Sequence, residues 1–413
     1  MSHDDETRTP LRAAPDCLEG LLQRGRGLGA VRAAQTPAAA APFVYDGIRR
    51  DWKWDQSDSR SLYQARLIRD LGLSPTPVVD QLAGSEEEWS RASSVLELLA
   101  LAGSEEAREG LRAYVREGEH WVRVLESVST EWPTEWWDDL GDVARSRIGG
   151  EEHLPSSSEV WTRFGIEVRD SPFAPRPSLE ALSEEELLAL LAADGTDGTD
   201  SHTKIDALRA LNVREPTEAL IPLVPSLGTA DGRRPLPRLR RAVERLGPRA
   251  VPAAREWASD EREWLSSMGK DVLADHPGPE ALPGLLAELS EQWRNEDWCG
   301  PDVTANRLAL FGTAAAEAAP VLRRLWLHTP HSYERADYLR ALAAIDPSNL
   351  DTTRTESLWD CEERTRLLGI AHAPDHPETR ERIATLRDDP METTEVRAAA
   401  RARLADAATS RSA

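Results

Sequence analysis

The chain has 413 residues, of which 40% are hydrophobic and 30% charged, and its formal net charge is −22. That balance suits a folded chain with a sizeable core and excludes a disordered polyelectrolyte. The negative charge argues against nucleic acid and anionic membrane surfaces as partners, and long-range steering favours a basic protein instead.

The N-terminal MSHDDETRTP is acidic and is followed by no apolar stretch, so no secretory signal is expected. No run of about 20 apolar residues occurs, so no membrane span is expected either. Cys17, Cys299 and Cys361 are few, odd in number and far apart, which points to the cytoplasm rather than to a disulfide framework.

Residues 1–57 read as a flexible N-terminal arm with an anchor segment. The glycines of CLEGLLQRGRGLGAVRAA weaken a helix there, and TPAAAAP reads as a linker. FVYDGIRRDWKWD, residues 43–55, alternates like a strand, with Trp52 and Trp54 on one face; a segment anchored on the first helices fits it equally well.

Helical periodicity fills residues 58–148. SDSRSLYQARLIRDLG offers Ser59 or Ser61 as a cap and stops at Gly72. Pro77 opens the next helix. SEEAREGLRAYVREG starts at a serine with acids in its first turn, which suit the positive end of the helix dipole.

In STEWPTEWWDDLG, Pro133 fits a first helical position, and Trp137, Leu140, Ala144 and Ile148 form the stripe of a buried face. Trp136 lies about 100° from Trp137 around such a helix and is its exposed member. Residues 85–142 hold fifteen Asp or Glu against five Arg. Trp132, Trp136, Glu135, Asp138 and Asp139 therefore make a candidate surface for a basic protein partner, with a solvated helix face over core tryptophans as the plain alternative.

Residues 149–180 break the pattern and read as a linker or irregular excursion. A helix capped by Ser183 follows, then a loop in which Asp194, Asp197 and Asp200 stand three apart, unlike a calcium loop. From residue 205 a phrase recurs: ALIPL, AVPAA, ALPGLL and AAPVLRRL, with Pro222, Pro252, Pro283 and Pro320 spaced by 30, 31 and 37 residues. A period near 30 residues, with proline in the first turn of every second helix, indicates stacked hairpins.

The phrase resembles bacterial HEAT-like repeats of the phycobilisome-lyase type. The resemblance is good over residues 205–345, is weaker over 58–148 and 346–408, and is informative for fold rather than activity. The expected architecture is all-α: an α-solenoid of HEAT-like hairpins with an irregular N-terminal arm. Its repeats at 181–408 are expected to fold apart from those at 58–148.

Chemistry is sparse. His372 and His376 stand four apart, but Pro374 between them reads as a loop. His328 and His331 flank a Thr-Pro turn. Cys299 lies in WCGPD with no histidine near it in sequence. No catalytic, cofactor-binding or metal residue is assigned. The expected function is a cytoplasmic protein-interaction scaffold or adaptor. The alternatives are an enzyme of the lyase or base-excision type on HEAT-like repeats, which the resemblance implies, or an acidic protective partner of a basic protein.

Overall fold

The computed structural model describes residues 13–50, 52, 60–149, 159–166, 179–193, 201–229 and 231–412. All regular structure in them is helical, apart from one isolated antiparallel bridge between Gly228 and Pro235. No helix among the described residues is long and apolar enough to cross a membrane. Asp194, Asp197, Asp200, Trp54 and Ser59 lie outside the described residues, as does most of the expected excursion at 149–180.

In chain order the first helices are α1 (Leu18–Gln23), α2 (Gly27–Gln35), α3 (Pro37–Arg49), α4 (Ser61–Asp70), α5 (Thr76–Asp80), α6 (Glu86–Leu101), α7 (Glu105–Glu117), α8 (Trp121–Glu131), α9 (Gly141–Ile148) and α10 (Glu159–Phe164). Next come α11 (Glu184–Ala192), α12 (Ser201–Leu211), α13 (Leu239–Leu246), α14 (Val251–Trp257) and α15 (Glu263–Asp275). The last are α16 (Leu282–Asn295), α17 (Pro301–Ala309), α18 (Ala319–His328), α19 (Arg335–Ile345), α20 (Asp351–Glu356), α21 (Glu363–His372), α22 (Pro377–Asp388) and α23 (Thr394–Ser412).

Local chemistry sets many of these boundaries. Ser104 Oγ accepts the Ala107 N–H at 3.2 Å, and Ser183 Oγ accepts that of Glu186 at 3.2 Å, where the Glu186 carboxylate returns to the Ser183 N–H in a capping box. Gly72 (φ +61°) and Gly103 (φ +97°) take the left-handed conformation just past α4 and α6, which side chains resist. Ser61 is the first residue of α4 rather than its cap. Three of the four recurring prolines, Pro252, Pro283 and Pro320, are second residues of α14, α16 and α18, where no helical N–H is lost. Pro222 sits instead within a 3-10 stretch, Glu218–Ser226.

The N-terminal expectation is corrected over residues 13–50. These form α1–α3 and bury Leu21, Ala33, Ala40, Val44 and Ile48, so neither a loose arm nor a strand at residues 43–50 describes them. The glycines serve close packing rather than looseness. Gly25 (φ +64°) turns the chain between α1 and α2, and a Cβ on Gly27 would lie 2.0 Å from the Glu356 carbonyl oxygen. The alanines of TPAAAAP, the best helix formers, open α3 behind Pro37.

Residues 1–172 and 289–413 make one compact unit and residues 173–288 another. These do not coincide with the segments expected from the sequence. The smaller unit has its own core, with Leu208, Val224, Leu239, Val243, Leu265 and Met268 among its buried members.

In the larger unit, buried ion pairs join the two stretches of chain. Arg335 and Asp360, both 0% exposed, form a bidentate pair with two contacts of 2.8 Å. Arg335 also donates to the Arg24 carbonyl at 3.0 Å, and Arg26 pairs with Glu356 at 2.7 Å. Arg66 reaches Asp389 at 2.9 Å and Glu392 at 2.7 Å, and Arg366 grips Glu392 with two bonds of 2.9 Å. A fragment starting at residue 180 would keep the Arg335–Asp360 and Arg366–Glu392 pairs but lose Arg26, Arg66 and Arg69, leaving Glu356 and Asp389 without these partners.

The Asp389–Glu392 cluster makes stability depend on acid. Burial alone would raise both carboxyls, but for Asp389 the guanidinium groups of Arg66 and Arg69, and for Glu392 those of Arg66 and Arg366, more than offset it and hold both below the usual carboxylate range. A depressed folded pKa gives stability that is complete above the unfolded value, about 4, and is lost as pH falls through the folded values. Urea unfolding should therefore show a steep loss of stability below about pH 4 in the native chain. A flat profile between pH 5 and 3 would contradict it.

Candidate functional site

The aromatic stretch after α8 does not continue as one helix. Pro133 is extended (φ −52°, ψ 137°), Thr134–Trp136 and Asp138–Leu140 are single 3-10 turns, and Trp137 between them (φ −136°) breaks the helical path before α9. The reason is geometric. Trp132 and Trp137 would stand about 140° apart on a helix, and both are buried, at 5% and 4% exposure. The bend lets Trp132 donate to the Glu97 carbonyl at 3.2 Å, while the Trp137 ring packs edge-on to Phe164 with centroids 5.8 Å apart.

Leu140 and Ala144 are core with Trp137, as the stripe predicts, and Ile148 is half-buried against the same core. Trp132 is thus corrected from surface anchor to core residue. Trp136 is half-buried, its ring edge-on to Trp132 at 5.7 Å, with the Arg108 guanidinium 5.1 Å from its centroid.

Of the three acids, Glu135 is exposed. Asp139 is held by Arg112 through bonds of 2.8 and 2.6 Å, and Asp138 by Arg163 at 2.5 Å. Each arginine holds its aspartate below the usual carboxylate range. Both aspartates keep roughly half their side-chain surface in solvent (49% and 59%), so the pairs contribute little to stability and remain open to exchange.

A second cluster has no counterpart in the sequence pattern. Cys299 is exposed, two residues before α17, and its Sγ lies 3.6 Å from Nε2 of the fully buried His331. The two are 32 residues apart in the chain, so no local spacing signals them. Thr329 holds the histidine backbone: its hydroxyl oxygen accepts the His331 N–H at 3.1 Å. The imidazole packs against Tyr333 with centroids 5.1 Å apart.

Beneath lies a buried polar group. Thr329 and Tyr338 both donate to Glu334, at 2.8 and 2.7 Å. Burial raises the Asp302 carboxyl and Asp337 adds to that rise, while the Val303 N–H pulls it back.

A cavity of about 330 Å³ lies among Leu21, Arg26, Leu28, Arg32, Leu327 and His328. Burial first, then Arg24 and Arg26, lowers the His328 pKa, so that imidazole is held towards its neutral form. The remaining histidine pair behaves as its prolines suggest: His372 ends α21 and His376 caps α22 across a short loop.

Compared with protein-family models, curated proteins and solved structures, the chain matches none. The reading of its function therefore rests on geometry and charge.

Proposed function

We propose that this chain is a cytoplasmic protein-interaction scaffold, an α-solenoid of HEAT-like hairpins that engages a basic protein through the surface of α6–α9. One observation carries the reading: Trp136 is half-buried, edge-on to buried Trp132 and under the Arg108 guanidinium, and its chain neighbours Glu135, Asp138 and Asp139 are exposed. A rigid aromatic anchor inside a polar rim is the arrangement that dominates protein interfaces. The acids steer a cationic partner inward, and its lysines and arginines can replace Arg112 and Arg163 on Asp139 and Asp138.

A photocrosslinking residue in place of Glu135 should capture one dominant protein in the native cytoplasm. The same residue in place of exposed Arg401 on α23 should not, and Trp136→Ala should abolish the capture. Identical captures from both positions would sink the proposal.

A further inference from the structure

We propose that Cys299 and His331 form a reactive thiol pair that exchanges with low-molecular-weight disulfides, placing a reversible mixed disulfide on Cys299. The three cysteines stand in different surroundings. Cys361 is buried against Arg335 at 3.3 Å, and burial pushes its thiol up to about 12, so it is withdrawn from exchange. Cys17 is exposed but caps α1, its Sγ donating to the Ala14 carbonyl at 3.1 Å and accepting the Gly20 N–H at 3.3 Å. Among the described residues an imidazole nitrogen lies within reach of Cys299, and Cys299 is exposed. The thiolate is the nucleophile in disulfide exchange, and a neighbouring imidazole promotes it.

The imidazole is held for this task. His331 is 0% exposed, its backbone is clamped by Thr329 and its ring lies against Tyr333, so Nε2 stays directed at Sγ. The titratable groups that face it include Cys299 just before α17, Asp302 in the first turn of α17 and Tyr333 from its own segment; Asp337 on α19 acts on Asp302 and is itself paired with Arg340 and Arg364 at 2.7 and 2.9 Å.

The exchange balances without another reagent. The Cys299 proton passes to Nε2, and the thiolate sulfur attacks one sulfur of the small disulfide. That S–S bond breaks as the new one forms, and the departing thiolate leaves as a thiol with the proton from His331. With Cys361 buried, a free small thiol rather than that cysteine reverses the step.

The test uses the full chain and uncharged 2-hydroxyethyl disulfide at pH 7, with the modified cysteine located by peptide mass. Cys299 should react about ten-fold faster than Cys17, and His331→Gln should remove the difference while leaving Cys17 unchanged. A folded His331→Gln chain that keeps the fast reaction, or equal rates at Cys299 and Cys17 in the native chain, would overturn the proposal. Should His331→Gln fail to fold, the native chain decides by itself: a Cys299 rate no greater than that of Cys17 refutes the pair.

Discussion

Asp360→Ala should destabilise the larger unit by about 3–5 kcal/mol, the range found when one partner of a buried ion pair is removed. Asp360 and Arg335 are both fully buried, and the remaining bonds of Arg335 go to the Arg24 and Gly25 carbonyls and the Cys361 sulfur. Burial works against the Arg335 charge, and Asp360 more than offsets it, raising the guanidinium pKa above its ordinary value. Without the carboxylate, a guanidinium that cannot discard its proton is left in a medium that solvates it poorly. Because its carbonyl partners lie between α1 and α2, the damage should appear there, as proteolytic cleavage within residues 13–50 before the rest of the unit opens. The double variant Arg335→Met/Asp360→Leu should recover most of the loss, since replacing a whole buried pair by apolar residues is often neutral. Urea unfolding followed by tryptophan fluorescence measures both. A loss below about 1 kcal/mol for Asp360→Ala would show that water reaches the pair.

These ion pairs also mark the limit of what was legible in the chain. Helical class was readable because stripes such as Leu239, Val243 and Leu246 repeat locally, and all three are buried. Caps at Ser104 and Ser183 and the stop at Gly72 were readable because each works within a few residues. The arm at residues 13–50 was misread because two of its glycines pack on residues more than 300 positions away: Gly25 on Cys361 and Gly27 on Glu356. Arginines 24, 26, 66, 335 and 366 look like surface residues in any local window, yet all are buried. The pairing of Cys299 with His331 is likewise a tertiary fact. In the candidate docking surface the acids were legible as charge, whereas the burial of Trp132 was not, because it depends on a bend that lets one short segment bury two indoles in different directions.

That bend makes neighbouring tryptophans unequal, and Trp137→Ala should cost roughly 3–5 kcal/mol, as truncation of a core aromatic does. Its ring is 4% exposed, packs edge-on to Phe164 and lies 5.8 Å from the Arg163 guanidinium, while its indole N–H donates to the Trp132 carbonyl at 3.4 Å. Truncation would open a cavity between the Trp132–Leu140 turns and α10, and α10 should loosen first. Trp136→Ala removes a half-buried ring whose contacts are Trp132 and the Arg108 guanidinium, so its cost in stability should be less than half as large. Its cost in binding should be the greater, because truncating an aromatic at the centre of an interface costs about 2 kcal/mol or more. The two variants thus separate packing from recognition within adjacent positions. Denaturation midpoints for both, read beside retention of the partner captured at position 135, decide the matter. Equal destabilisation by both would mean Trp136 is core too, and loss of binding on Trp137→Ala in a chain of native stability would place the docking surface on the wrong indole.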